Sequence, residues 1–392
     1  MPDSSPHAAP GEAYRPRPPK HLAVFFDGTW NSKHDVAEAD TNVADLFDLC
    51  TLPDKQLKRY LSGPGGLIEE PRSRARRALW HLEARFGAAD QTFGGATGLG
   101  VTRQIKLAYE FLSSRYEPGD LIYLFGFSRG AFAARSFAGF VELVGLLFRD
   151  NLDLLETAFL LYQTSLPGKQ SSLRSLLREV HTYDGPSGEA LPIYFIGVFD
   201  TVASLGIAVA PALTDWYNAF HRTALPRNVT HAQHAVAIHE MRGQFRPVLW
   251  EGKTDARQSL VQMLFRGAHA DVGGGYFDGW WSDWPMEWMH QEAAALGLPL
   301  MNYARPLRSR LAPPAIHCES RMPWRLGGTR NRIIEFDACS GGNLMLHPSA
   351  KAPTLELPTD LASSVAGKAR AVERWAQRRY PEQVAVVAGQ SW

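Results

Sequence analysis

Apolar and polar positions alternate along this chain in blocks that predict strands and helices in turn. HLAVFFDGTW, from His21, is a short apolar run ending in Asp27-Gly28, and it predicts a buried strand with a tight turn at its carboxyl end. TNVADLFDLC then places Val43, Leu46, Phe47 and Cys50 on one helical face. KRYLSGPGGL, from Lys58, predicts a short strand and turn, and residues 71–88, rich in arginine, an exposed helix. GGATGLG leads into VTRQIKLAYEFLSSRY, where Ile105, Tyr109 and Leu112 recur near the helical period. DLIYLFGF followed by SRGAFAARSFAGFVELVGLL predicts strand, sharp turn and helix. Residues 150–180 read as helical, LPIYFIGVFD as a buried strand ending in Asp200, 207–235 as irregular, HAVAIHEMR as helical and FRPVLW as a strand. SLVQMLFRGAHADVGGGY predicts a strand and a glycine-rich loop, and a last helix is expected around 361–379.

This alternation predicts an α/β fold, a mostly parallel sheet with helices on both faces and helical insertions. One α/β domain is expected over 21–350, with insertions at about 150–190 and 207–235, between a proline-rich disordered arm (1–20) and a C-terminal helix and tail (351–392). In parallel sheets ligands meet the carboxyl ends of the strands. Three such ends carry chemistry-bearing residues: Asp27-Gly28, the turn at Ser128, and Asp200.

Composition narrows the reading. The 392 residues are 45% hydrophobic and 21% charged, an ordinary globular mix. Lys+Arg number 41 and Asp+Glu 40, a balance that argues against a nucleic-acid partner. Cys50, Cys318 and Cys339 form no C-x-x-C pair, so neither a zinc ribbon nor a disulfide framework is indicated. The first 20 residues hold six prolines and no apolar core of a signal peptide. The longest apolar run, FAGFVELVGLLF, is broken by Glu142 and falls short of the ~18 residues of a membrane span. Synthesis in the cytoplasm is expected, and export, if it occurs, by a route that needs no signal peptide.

The strongest chemical motif is Gly126-Phe127-Ser128-Arg129-Gly130, a G-x-S-x-G at a predicted strand-to-helix turn. Such a turn lifts a serine hydroxyl clear of the sheet, and flanking glycines permit its backbone. The competing reading is an ordinary turn with Ser128 capping the helix. A serine nucleophile needs a base. His269, in the glycine-rich loop, is the candidate among 13 histidines, with a plain loop histidine as the alternative. Asp200 leads the candidates for the acid, ahead of Asp271 and Asp27, which are also expected to buttress a loop or cap a turn. For the oxyanion hole the backbone N–H of Arg129 is the first expected donor, with Gly28 or Thr29 as the second. His231, His234, His239 and Glu240 match no recognised ligand spacing, so no metal is expected, and the chemistry needs no cofactor. Trp280, Trp281, Trp284 and Trp288, with Tyr276 and Phe277, form the densest aromatic stretch. It fits an acyl pocket, a bilayer contact or simple packing.

FFDGTWN (25–31), TNV (41–43), GGATGLG with AYEFL, GFSRGAF (126–132), GVFDTVASLG (197–206), FRPVLWEG (245–252) and GAHADVGGGY (267–276) resemble, in order, the α/β-hydrolase domain family that includes type VI secretion phospholipase effectors. The resemblance covers roughly 20–300. It implies an α/β-hydrolase fold with the nucleophile at Ser128, the acid at Asp200 and the base at His269. It further implies a phospholipid ester substrate, peripheral membrane contact, and an immunity or secretion-machine protein as partner. The expected activity is a serine esterase or lipase. The alternatives are a hydrolase of small soluble esters or acyl conjugates, and a non-catalytic binding domain on the same fold.

Overall fold

The first strand, β1 (His21–Phe26), shows what builds the sheet. Leu22, Val24 and Phe26 enter one core and Ala23 and Phe25 the other, and none is solvent-exposed. A strand apolar on both sides must be covered on both sides, which is the condition of a parallel sheet with crossover helices. The structure is a computed structural model that describes residues 17–28, 39–53, 57–63, 99–164, 172–183, 190–202, 224–251, 255–304, 314–318, 328–339, 344–351, 357 and 363–380. Within it β2 (Lys58–Leu61), β3 (Leu121–Phe127), β6 (Ile193–Phe199), β7 (Val229–Ala237), β8 (Ser259–Phe265) and β9 (Leu344–Leu346) join β1 in one sheet. A separate antiparallel pair is formed by β4 (Leu146–Leu147) and β5 (Thr182–Tyr183). The large sheet runs β2-β1-β3-β6-β7-β8-β9, and every neighbouring pair in it is parallel. The chain steps one way from β1 to β2 and the other way from β1's far side onward. This reversal between β1 and β3 is the point where such sheets open a crevice at their carboxyl edge.

Helices cover both faces. On one side α2 (Leu99–Ser113), α3 (Ser128–Val144) and α4 (Leu155–Thr164) bring Ile105, Tyr109, Phe137, Phe140 and Phe159 against Val24, Leu124 and Ile196. On the other, α1 (Asn42–Leu49) and α7 (Asp283–Ala295) bring Val43, Leu46, Met286 and Met289 against Phe25, Phe125 and Phe195. Burying each such phenylalanine contributes about 1.5–3 kcal/mol. The α1 start is fixed by Thr41, whose hydroxyl accepts the Ala44 N–H at 3.2 Å. A shorter helix, α5 (Ser172–His181), precedes β5, and α6 (His269–Gly273) is a single turn after β8. The chain then adds α8 (Ile333–Ala338) and α9 (Ser363–Arg379), the latter packing Val365, Val372 and Ala376 against Val236 and Leu264. No helix among the described residues is long and apolar enough to cross a membrane.

Four expectations need correction. Residues 229–237, which the sequence reading divides between the end of the irregular 207–235 stretch and the helix HAVAIHEMR, form β7 instead, and 207–223 lie outside the described residues. Alanines at 232, 235 and 237 favour helix intrinsically, but between β6 and β8 they are the small residues a strand buried on both faces accommodates. FRPVLW forms no strand; only Pro247 bridges, to Val202, because proline has no N–H to extend a ladder. The helix after Ser128 ends at Val144, where Gly145 turns with φ +90°, and Leu146–Leu147 pass to β4. The glycine-rich loop after β8 is wound into α6 over His269–Gly273. The predicted helix at 71–88 lies outside the described residues, as does residue range 1–16 of the N-terminal arm.

Candidate active site

The turn at Ser128 is sharp. Phe127 is extended (φ −125°), the next residue is Ser128 at φ +57°, and α3 begins there with no linker. A left-handed conformation costs a residue with a Cβ roughly 1–2 kcal/mol, so packing must enforce it. The glycines of the motif show how. A Cβ on Gly126 would lie 2.6 Å from Ala131 Cα, and one on Gly130 would lie 2.2 Å from the carbonyl oxygen of Phe26. Only glycine lets the first turn of α3 seat against β1 and β3, and that seating lifts Ser128 to the sheet's edge.

His269 opens α6 beyond β8 and reaches back across the sheet. Its Nε2 lies 2.8 Å from Ser128 Oγ and its Nδ1 2.6 Å from Asp200 Oδ2. An ionised carboxylate can only accept, so Nδ1 carries the proton and Nε2 is left to accept from the hydroxyl. The ring is held between Phe127 (centroids 4.7 Å apart) and the edge-on ring of Phe245 (5.0 Å). Gly273 makes the first contact possible, since a Cβ there would fall inside the Phe127 ring's space, at 2.0 Å. The His269 backbone N–H donates to Glu240 Oε2 at 3.2 Å, and Glu240 is in turn paired with Arg242 at 2.7 Å.

Asp200 follows β6 and, like Ser128, has positive φ (+35°). Its carboxylate is wholly buried and accepts four hydrogen bonds. Oδ1 takes Ala237 N–H (3.0 Å) and an Arg332 Nη (2.6 Å), and Oδ2 takes His269 Nδ1–H and the other Arg332 Nη (2.9 Å). Burial alone would raise this carboxyl; the Arg332 charge and the His269 hydrogen bond outweigh it and hold the group well below the usual carboxylate range. Burial lowers His269 from its ordinary value, with Asp200 opposing, so the imidazole is neutral near pH 7.

The other predicted residues take supporting places. Asp27 lies at the end of β1, and its carboxylate accepts from Gly28 N–H (2.7 Å), the Thr41 hydroxyl (2.8 Å) and the Tyr60 hydroxyl. Gly28 therefore spends its N–H on Asp27 in this arrangement, which is not the oxyanion-facing role expected of it. Arg129 opens the first turn of α3, and Thr29 lies outside the described residues. Asp271, the rival acid, is engaged elsewhere: it accepts Ala268 N–H at 2.8 Å and contacts His317 Nδ1 at 2.6 Å, tying α6 to segment 314–318. His234 is buried and neutral, pushed down to about 3 by desolvation, and accepts the Thr201 N–H. His239 accepts Gly267 N–H at 3.1 Å, and His231 packs on Tyr194. These histidines thus have other partners. Trp280, Trp281 and Trp288 are buried, which favours packing over a bilayer contact, whereas Phe277 is 72% exposed.

Arg332, Glu240, Arg242, Phe245 and His317 are site residues that the sequence reading did not single out for these roles. Glu240 and Phe245 carried a signal, since both lie near the carboxyl end of a strand or inside a motif of the resemblance. Arg332 carried none.

Residues 20–292 match the family model for the catalytic domain of Tle1-like type VI secretion system phospholipase effectors. The uncharacterized protein YEL023C of Saccharomyces cerevisiae is 33% identical over 235 residues, covering 58% of this chain and 32% of its own length. The chain thus spans about a third of that relative. Two solved structures also align. An uncharacterized protein from Pseudomonas aeruginosa shares 20% identity with a TM-score of 0.41, over 75% of this chain and 48% of its own. A Tle1 effector solved on the VgrG spike of the type VI secretion system shares 19% identity with a TM-score of 0.27, over 70% and 56% respectively.

Proposed function

The chain belongs to the Tle1-like phospholipase effectors of type VI secretion through their catalytic domain, and on that premise we propose that it is a serine hydrolase cleaving phospholipid carboxylic esters. The single observation that carries this reading is the linked Ser128–His269–Asp200 contact, at 2.8 and 2.6 Å, a spacing that suits a general base with its proton on Nδ1.

In this reading the Ser128 hydroxyl attacks the ester carbonyl while His269 Nε2 takes its proton. Asp200 fixes the imidazole and stabilises the cation that forms. The Arg129 N–H, at the positive end of α3, meets the developing oxyanion. Gly28 serves as a second donor only if it exchanges Asp27 for the substrate oxygen. His269 then returns the proton to the leaving alcohol, and water activated by the same nitrogen releases the acyl group. No cofactor enters. Family membership also supports export by the secretion machine, with a spike component as carrier, an immunity protein as antagonist and peripheral contact with a lipid surface.

The test compares wild type with Ser128→Ala on phosphatidylglycerol–phosphatidylethanolamine vesicles, followed by lipid mass spectrometry and by fluorophosphonate labelling. Free fatty acid and lysolipid should appear with wild type only, and the variant should lose labelling and at least ~1,000-fold in rate. Undiminished labelling of the variant would remove Ser128 from its role. Turnover of soluble esters with none on vesicles would replace the lipid substrate by a small one.

A further inference from the structure

The acid of the proposed triad is gripped by a residue from far along the chain. Arg332 stands just before α8, beyond the 20–292 family match, and 132 residues from Asp200. Its side chain is almost wholly buried. One Nη donates to Asp200 Oδ1 (2.6 Å) and the Ala237 carbonyl (2.7 Å), the other to Asp200 Oδ2 (2.9 Å) and the Phe245 carbonyl (2.7 Å). A guanidinium moved out of water is costly unless its donors are met; here the four Nη–H donors are met, and among the described residues the buried Nε–H has no acceptor.

We propose that Arg332 is a positioning residue of the hydrolytic site, holding the Asp200 carboxylate ionised and turned toward His269. The inference rests on the serine-hydrolase reading above. The two-pronged grip fixes the plane of the carboxylate. With Ala237 N–H on Oδ1, the His269 Nδ1–H is the one remaining donor, and its place on Oδ2 is set. The grip also sets charge. Asp200 and Arg332 together are close to neutral, so the pair draws a proton onto His269 less than a bare carboxylate would. The other charged or titratable groups facing the pair are Glu240 and Arg242 from the segment after β7 and His234 on β7. None of these grips the Asp200 carboxylate from two sides.

The competent form has His269 neutral and Asp200 ionised. Removing the cation raises the proton affinity of both groups, the imidazole because its anion is no longer neutralised and the carboxylate because burial is no longer opposed. Either route moves the acid limb of kcat/KM to higher pH. A purely structural arginine would lower thermal stability and leave that limb in place.

The experiment measures pH profiles of p-nitrophenyl butyrate hydrolysis for wild type, Arg332→Lys, Arg332→Gln and Ser128→Ala, with circular dichroism to select folded variants. Arg332→Gln should lose about tenfold or more in kcat with KM little changed, because orientation of the base is what fails. Its acid limb should rise, and the far-downfield proton resonance of His269 Nδ1 should weaken. Arg332→Lys, which keeps the charge without the fork, should lose kcat while its acid limb stays close to wild type; if the glutamine variant does not fold, Arg332→Met, which also removes the charge, takes its place. A wild-type acid limb in the folded glutamine or methionine variant would overturn the proposal while leaving the triad intact, provided Ser128→Ala is inert. Activity retained by Ser128→Ala would instead remove the reading on which it stands.

Discussion

Gly130 and Phe26 touch through backbone alone: a methyl group on Gly130 would lie 2.2 Å from the Phe26 carbonyl oxygen and 2.4 Å from that of Asp27. No side chain stands between them to give way. Relief would require α3 to swing off β1, and Ser128 would travel with it. Gly130→Ala should therefore cost about 1–3 kcal/mol or more in urea unfolding and slow fluorophosphonate labelling sharply. Gly139, on the same helix, is the control. Its nearest neighbour for a Cβ is the Tyr162 hydroxyl at 3.6 Å, so Gly139→Ala should gain about 0.5–1 kcal/mol from helix propensity and label normally.

Strain at the nucleophile gives a second prediction. Ser128 is held at φ +57°, where alanine is as strained as serine and glycine is not. Both Ser128→Ala and Ser128→Gly should be inert, but the glycine variant should be more stable by about 1 kcal/mol. Thermal unfolding of the two inactive proteins measures this without any contribution from activity. Equal midpoints would mean the turn is not strained.

Asp27 makes stability depend on pH. Burial raises its carboxyl to about 6, despite hydrogen bonds from Tyr60, Thr41 and Gly28 that pull the other way. In the unfolded chain the group ionises near 3.9. Between these values the native state holds a proton that the unfolded state has released. The associated stability is full below about pH 4 and is lost as pH rises through about 6, a change of about 3 kcal/mol at most. Urea titrations of Asp27→Asn at pH 4, 5, 6 and 7 should show this decline flattened relative to wild type. An identical slope in both proteins would mean Asp27 is ionised throughout.

Much of the candidate site is legible in the sequence because Ser128, Asp200 and His269 all follow apolar runs that could only be strands. A parallel sheet brings such ends to one edge whatever their separation along the chain. The strand at Val229–Ala237 is the counterexample. Its alanines and scattered histidines imitate a helix, and only pairing with β6 and β8 on its two sides decides the matter. Arg332 was illegible for a different reason. It sits in no periodic segment, and what it touches depends on a return of the chain to the carboxyl end of β7 that local pattern does not encode. Gly28 shows the limit of reasoning from position alone, since it follows a strand end but its N–H is taken by the neighbouring carboxylate.

The packing of α9 has a practical outcome for anyone who would trim this protein. Glu373 pairs with Arg266, which is buried at the end of β8 just ahead of the His269 turn, and stands 3.1 Å from His239 Nε2. A recombinant fragment cut where the family match stops, at residue 292, would strip both Arg266 and Asp200 of their countercharges and open the Val236–Leu264 surface to water. The stretch matched by the family and the stretch that must be expressed together are therefore different lengths, and a useful clone has to include Tyr380.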